Sequence, residues 1–494
     1  MSAPRATGPR SLSALARIAF GVWAAVTLVL VTALALVLGR LGAEGFYRFQ
    51  VAGHGGTVEL NFAAFCASWL ALGGLLGLCR APAFARRHAF FLAVLTLVGF
   101  AWLNAVREPH RVVDGDFGAY FEAARALHAG EPIVQLPDRL YLYPPLLATV
   151  LSPLVPLGYD AVLPIFHFAN FLALLAVVVA LYAALQRYRF ERELAALAVL
   201  VVFTTNVPIL RTLAYHQVNL WVEALVLASF LAAPRRPALS ALCLALATHL
   251  KVYPALLVLP WLWLRDVRWL GLYALSNLAI VAGTSLANGF SHYLVFLHQA
   301  AGLQETALRN ASIDAFVYNT LRIAGLYTGG IARPFSLGLR LVFTGALLDA
   351  WRRMGDRPLL ADGPPPARRL ANGFALLPLP MLAISPSIWE HHPVLLLLTF
   401  PVLASALRDA ADLLLFLPAY GFLFWMPVFD IYPVSGLRLL AFGLLLALVL
   451  RLTVRRESGA PPWLARLNNG LRALVGEVSG DARALASARA PESR

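Results

Sequence analysis

Apolar stretches long enough to cross a bilayer recur along this chain, and small clusters of arginine separate them. A bilayer's hydrocarbon core is about 30 Å thick, so a crossing helix needs roughly 20 mostly apolar residues. Inside that core every backbone N–H and C=O must be paired within the segment, and helices meet that demand. Runs of this kind begin near residues 15, 58, 88, 161, 194, 216, 238, 254, 268, 333, 371, 393, 413 and 436. Only 13% of the 494 residues are charged, 60% are hydrophobic, and the mean hydropathy is +0.71. Soluble domains carry roughly 25% charged residues. Lipid must therefore cover most of this surface, and the expected fold is an all-α polytopic membrane bundle of about 12–14 transmembrane helices.

The formal charge of +14 invites a nucleic-acid reading, but the arginines are not gathered on one domain. They recur between apolar runs, as at Arg86-Arg87, Arg235-Arg236, Arg265/Arg268, Arg352-Arg353, Arg368-Arg369 and Arg455-Arg456. That is the positive-inside signature of cytoplasmic loops. Cys66, Cys79 and Cys243 all fall in hydrophobic runs without paired spacing, so they read as small buried apolar residues. The first run, about residues 15–39, is too long for the apolar part of a signal peptide and reads as a retained signal-anchor helix.

Charge also divides the chain: N-terminal helices over 1–106, a first large outer-face loop over 107–160, a transmembrane core over 161–452 and a cytoplasmic tail over 453–494. Arg235-Arg236 and Arg265/Arg268 both belong inside, yet only residues 238–264 separate them. Two short helices turning near Lys251-Val-Tyr-Pro254 resolve this, since Pro254 lacks the donor a helix interior needs. In the outer loop, "DFGAYFEAARALHAG" puts Phe117, Tyr120, Phe121, Ala124 and Leu127 on one helical face, with Gly130 as the C-cap. Such a helix suits the interface plane. The following "YLYPPLLATVLSPLVPLG" carries Pro144, Pro145, Pro153 and Pro156, too many for an ordinary span, and predicts a re-entrant or interfacial hairpin. A second outer loop, about 288–330, contains "SHYLVFLHQAAGL" and "RNASIDAFVYN"; a third is the short "SPSIWEHHP" at 385–393.

Four groups of residues could carry chemistry. Asp114 and Asp116 open the amphipathic helix: Asp116 is either an N-cap, a general base at the membrane surface, or both. With no third acid beside them, a divalent metal is not expected. Glu390, His391 and His392 crowd a loop too small for hydrophobic filler; adjacent histidines point about 100° apart and rarely chelate one ion together. Arg211, His216, Gln217 and Asn219 lie in "RTLAYHQVNL", polar groups at one membrane depth, which normally face a cavity. Glu223 follows inside the span, either paired with His216 or Arg211 or functional. Lys251 is the only lysine, set in an apolar run. It either snorkels to the interface or presents a point charge to a lipid phosphate.

The order of five motifs resembles glycosyltransferase family 87 of the GT-C superfamily, polytopic enzymes that include polyprenol-phosphate-mannose-dependent α-mannosyltransferases. The motifs are Asp116 to Gly130, Tyr141 to Leu146 (holding Tyr143), Gln217 to Leu220, Leu250 to Pro254 and Ser385 to His392, within about residues 107–440. The resemblance implies a GT-C-like bundle and inverting transfer of one sugar from a polyprenyl-phosphate donor to a lipid-linked or glycan acceptor. It implies an integral bacterial inner-membrane enzyme with its site facing the periplasm or exterior, and no cofactor. Asp116 becomes the base, with Asp114 behind it. Lys251, Arg211, His391, His392, Gln217, Asn219, Glu390 and Tyr143 become the residues around donor phosphate and substrate. A multi-pass transporter or flippase, or a GT-C-like glycan ligase or polymerase, are the alternatives; the chain shows no internal repeat of the transporter kind.

Overall fold

The computed structural model describes most of residues 116–454 and some positions between 24 and 39. The expected spans from 58 and 88, Cys66, Cys79, Asp114 and the tail from 455 lie outside the described residues. The chain divides into two compact units. The first takes residues 1–98, 191–205 and 458–494; its described parts are helical positions between 24 and 39 and the helix Arg192–Thr204. The second takes residues 99–190 and 206–457, and everything below belongs to it. No strand occurs among the described residues.

Among the described residues, four helices are long and apolar enough to cross a membrane: Tyr159–Arg187, Val267–Asn288, Gly329–Met354 and Leu437–Val454. The first has 29 residues, which at 1.5 Å per residue is about 43 Å. Val267–Asn288 leaves Leu275, Leu278 and Leu286 exposed, a face that only lipid suits. The other predicted runs between 194 and 425 are helical but shorter. Asn219–Ala232 and Pro237–Leu250 have 14 residues each, about 21 Å, short of the hydrocarbon thickness. The run from 371 breaks into Pro365–Leu376 and Pro378–Ala383. The run from 393 becomes a 3₁₀ turn, His392–Leu396, and then Thr399–Ala406. Proline supplies the reason: Pro378, Pro380, Pro393 and Pro401 each remove a donor and crowd the preceding turn.

Two local expectations hold in detail. The helix Asp116–His128 buries Phe117, Tyr120, Phe121, Ala124 and Leu127. It ends in a Schellman motif: Glu131 N–H donates to Ala126 C=O at 2.8 Å and Gly130 N–H to Leu127 C=O at 3.1 Å. Gly130 has φ +72°, a conformation that costs glycine little. The helix is more enclosed than a surface-lying one, since Gly118, Ala119 and Ala123 are buried too. It packs on Leu146–Leu151 and the 3₁₀ turn Ser152–Leu157, the two pieces of the proline-rich segment. Pro237–Leu250 ends where expected, with Lys251 extended (φ −149°, ψ 131°) before the 3₁₀ turn Tyr253–Val258.

Away from the motifs, the short helices are fastened by close packing. Trp261 stacks on Trp269 at 3.6 Å between ring centroids, and Trp269 Nε1 donates to Ser240 Oγ at 3.1 Å. Helix Pro365–Leu376 reaches this cluster only because Gly373 has no side chain: a Cβ there would lie 2.4 Å from Pro260 Cγ. Gly443, in Leu437–Val454, has open space where a Cβ would go. Gly373→Ala should destabilise the protein by about 1–3 kcal/mol through overpacking, whereas Gly443→Ala should be neutral or slightly stabilising. Thermal unfolding of the two variants in detergent checks the contrast.

Candidate active site

Gln217 sits at the centre of a polar cluster built from four separate parts of the chain. Its Oε1 accepts from Tyr120 Oη at 3.1 Å, Tyr143 Oη at 3.3 Å and Lys251 Nζ at 3.2 Å. Tyr120 comes from one turn inside the helix that Asp116 begins. Tyr143 comes from the proline-rich segment, whose turn is set by Tyr141: its Oη donates to Pro144 C=O and accepts Ala148 N–H. Lys251 comes from the break between the two short helices.

Lys251 is buried, 4% exposed, so it does not snorkel. It lies 5.2 Å from the Tyr143 ring centroid and 5.9 Å from that of Tyr253, within cation–π reach. Its Nζ is 3.2 Å from His392 Nε2. On the other side of that ring, Trp389 N–H donates to Nδ1 at 2.9 Å. Nδ1 is therefore an acceptor, and a neutral His392 carries its proton on Nε2. Two hydrogen-bearing nitrogens thus converge on one spot.

Asp116 is the first residue of its helix, half-buried, and within electrostatic range of Lys251, Glu390, Tyr120 and Tyr143. Burial raises its carboxyl above the ordinary aspartate range; Lys251 opposes that shift and Glu390 adds to it. Burial lowers the Lys251 ammonium, with the Asp116 carboxylate opposing. Burial likewise holds His391 and His392 well below the usual imidazole range, so both are neutral, and nearby cations add to the effect.

A second polar group adjoins the first. Tyr215 Oη donates to Glu390 Oε1 at 3.0 Å and receives Arg211 Nη1 at 3.2 Å; Arg211 Nε lies 3.8 Å from the same carboxylate oxygen. Arg211 and Glu390 are each 1% exposed. Arg438 joins them, buried in the first turn of Leu437–Val454 and in electrostatic range of Glu390, Arg211 and Tyr215. Sequence reasoning passed over Arg438, although a lone arginine in "GLRLLAFG" is the kind of intramembrane charge that marks a site. Tyr120, Tyr215 and Tyr253 were not singled out either, because tyrosine in an apolar run carries no special signal.

The remaining sequence candidates separate. Asn219 does not face an open space: its Nδ2 donates to His391 C=O at 3.3 Å and its Oδ1 accepts Tyr253 Oη at 3.4 Å. Thr212 Oγ1 donates to the same His391 carbonyl at 3.4 Å. His216 leaves the group of Arg211 and Gln217. Its φ of +54° turns the ring toward His167, 4.0 Å away between centroids. Glu223 lies one turn beyond Asn219, buried and in electrostatic range of Tyr253; no contact with His216 or Arg211 occurs among the described residues.

A helical membrane protein with a buried, mixed-charge site beside half-buried tyrosines is what these elements define. Residues 141–386, about half the chain, match the family glycosyltransferase family 87. The chain belongs to that family and is a glycosyltransferase, which sets the transporter reading aside. No curated protein and no solved structure matches it. The matched stretch holds Tyr143, Arg211, Gln217, Asn219 and Lys251, while Asp116, Glu390, His391, His392 and Arg438 lie outside it. Folding gathers both sets at one place.

Gln217 gives a direct test of the cluster. Gln217→Leu leaves the hydroxyls of Tyr120 and Tyr143 and the Lys251 ammonium without their acceptor, at a cost of about 1–3 kcal/mol. Its thermal midpoint should fall, and Gln217→Glu, which keeps an oxygen in place, should recover most of the loss.

Proposed function

We propose that this glycosyltransferase moves a single sugar, mannose by the resemblance, from a polyprenyl-phosphate donor to a lipid-linked or glycan acceptor, with inversion at the anomeric carbon. The single observation that carries this reading is the convergence of Lys251 and His392 Nε2–H, 3.2 Å apart, within electrostatic range of a half-buried aspartate. Two donors aimed at one point repel each other until an anion receives both. A phosphate monoester is such an anion, and charged hydrogen bonds to it are the strong kind.

In the reaction the acceptor hydroxyl attacks the anomeric carbon while the carbon–oxygen bond to phosphate breaks. Asp116 takes the hydroxyl proton, and polyprenyl phosphate departs with the bonding electrons. The leaving group develops charge on its phosphate oxygens, so preorganised cations and N–H groups serve it better than a strong acid. Lys251, Arg211 and Arg438 supply the positive charge, and His391 and His392 stand neutral beside them. This chemistry calls for no cofactor or metal. Base and leaving group act on opposite faces of the sugar ring, as in other inverting displacements. The donor's apolar tail would approach past the proline-rich segment Leu146–Leu157 from surrounding lipid. The positive-inside arrangement of arginines supports a site on the outer face of the membrane, a bacterial inner membrane by the resemblance.

The test is transfer of radiolabelled sugar from candidate polyprenyl-phosphate sugars by the purified protein. Formation of a new glycoside supports the reading; turnover with oligosaccharide donors alone would make the protein a ligase or polymerase. Asp116→Asn should lower transfer by at least about 100-fold at unchanged protein yield, and full activity in that variant would remove the base. Lys251→Ala should raise the donor KM more than Lys251→Arg.

The pH profile carries a separate prediction. Only the ionised Asp116 can take a proton, so the rate rises with pH through its pKa. Because burial raises that pKa, the acid limb should lie well above the ordinary aspartate value of about 3.9. Glu390→Gln removes a negative neighbour that contributes to the shift, so the limb should move to lower pH. A limb that stays in place would show that Asp116 is not the titrating group.

A further inference from the structure

The loop that carries Glu390, His391 and His392 holds only part of its own shape: Ser385 Oγ donates to Ser387 C=O and accepts Ser387 N–H, and Trp389 C=O accepts His392 N–H. From Ser385 to His391 it forms no regular helix, and Pro386 and Pro393 interrupt its supply of donors. Buried backbone groups must still find partners, and here a distant segment provides them. Ala311 N–H donates to Ile388 C=O at 2.8 Å, and Ile388 N–H donates to Asn310 Oδ1 at 3.0 Å. Asn310 Nδ2 donates to Ser387 Oγ at 3.1 Å. The same Oδ1 accepts Ser312 N–H at 2.9 Å, which folds the segment back so that Ser312 Oγ caps the helix Ile313–Ile323. Asn310 is 4% exposed.

The brace is anchored twice more. Arg340 Nη1 donates to Ile384 C=O at 3.2 Å, and its Nε pairs with Asp314 at 3.0 Å. At the far end of the loop, Thr212 and Asn219 hold the His391 carbonyl. Between these fixed points lie only Trp389 and Glu390, and the Trp389 N–H is the group that sets the His392 tautomer.

We propose that Asn310 is a positioning residue for sugar transfer: through Ser387 and Ile388 it fixes the loop that aims His392 at Lys251. This rests on the role given above to His392. Asparagine is suited to the place because its oxygen takes two backbone N–H groups while its nitrogen reaches a third partner. Aspartate keeps the oxygen, and alanine keeps neither. Misplacing a reacting constellation by about 1 Å can cost on the order of 100-fold in rate.

Two readouts on the full-length protein test this. Hydrogen exchange of the 385–392 peptide needs no donor: exchange should speed up in Asn310→Ala and stay near wild type in Asn310→Asp, with the Val267–Asn288 helix unchanged in both. Equal protection in wild type and Asn310→Ala overturns the brace whatever the substrate. With polyprenyl-phosphate-mannose as the probe, Asn310→Ala should lower kcat by about 10- to 100-fold, more than it raises the donor KM, and Asn310→Asp should recover most of kcat. Wild-type kcat in Asn310→Ala, or no recovery in Asn310→Asp, overturns the positioning role. Failure of the wild-type protein to use any polyprenyl-phosphate sugar sinks the functional reading instead, and leaves the exchange result to decide the brace.

Discussion

Burying one ammonium organises much of this protein. An unpaired lysine at the membrane centre costs roughly 2.5–3.5 kcal/mol on insertion scales, and Lys251 is enclosed rather than exposed at an interface. Its compensation is local and specific: the Gln217 oxygen, two tyrosine faces and an aspartate in range, with the His392 N–H turned to the same spot. Each of those partners needs its own support. Gln217 depends on Tyr120 and Tyr143, His392 on the Trp389 N–H, and the histidine loop on Asn310 and Asn219. The site is thus a network of polar groups spreading outward from one charge, in which Glu390 Oε2 and both ring nitrogens of His391 are buried without a hydrogen-bond partner among the described residues.

The same demand accounts for the broken helices. A continuous helix uses up its own backbone groups and leaves little with which to hold a loop. At Lys251, and over 384–398, the chain departs from regular α-helix beside the polar cluster. Non-helical backbone at membrane depth is tolerated where protein surrounds it. The prolines that break these runs therefore mark where the chain stops being scaffold and starts to carry polar function.

Much of this was legible beforehand, for local reasons. The face of Asp116–His128 follows from a 3.6-residue period and its end from Gly130. The break at Lys251 follows from two arginine clusters that both belong inside yet lie too close together for two full spans. The site was legible only as a set of candidates. His216 looked like a member beside Arg211 and Gln217, but its left-handed backbone carries it toward His167. Asn219, a candidate for the substrate site, holds the His391 carbonyl, a contact that no sequence pattern foretold. Arg438 drew no notice because its meaning depends on Glu390 and Arg211, which reach it through folding alone.

The sequence by itself determined that this chain lives in lipid, that its elements are helices, where the Asp116–His128 helix ends and the chain breaks at Lys251, and which residues were too polar to be there without cause. Those properties follow from hydropathy, period and proline, each read within a few residues. The tertiary structure decided which of those polar residues meet. Tyr120 and Gln217 are 97 positions apart and Lys251 and His392 141, and no local rule spans such distances. Only packing, which brings distant segments within hydrogen-bond reach, could choose among the possible pairings.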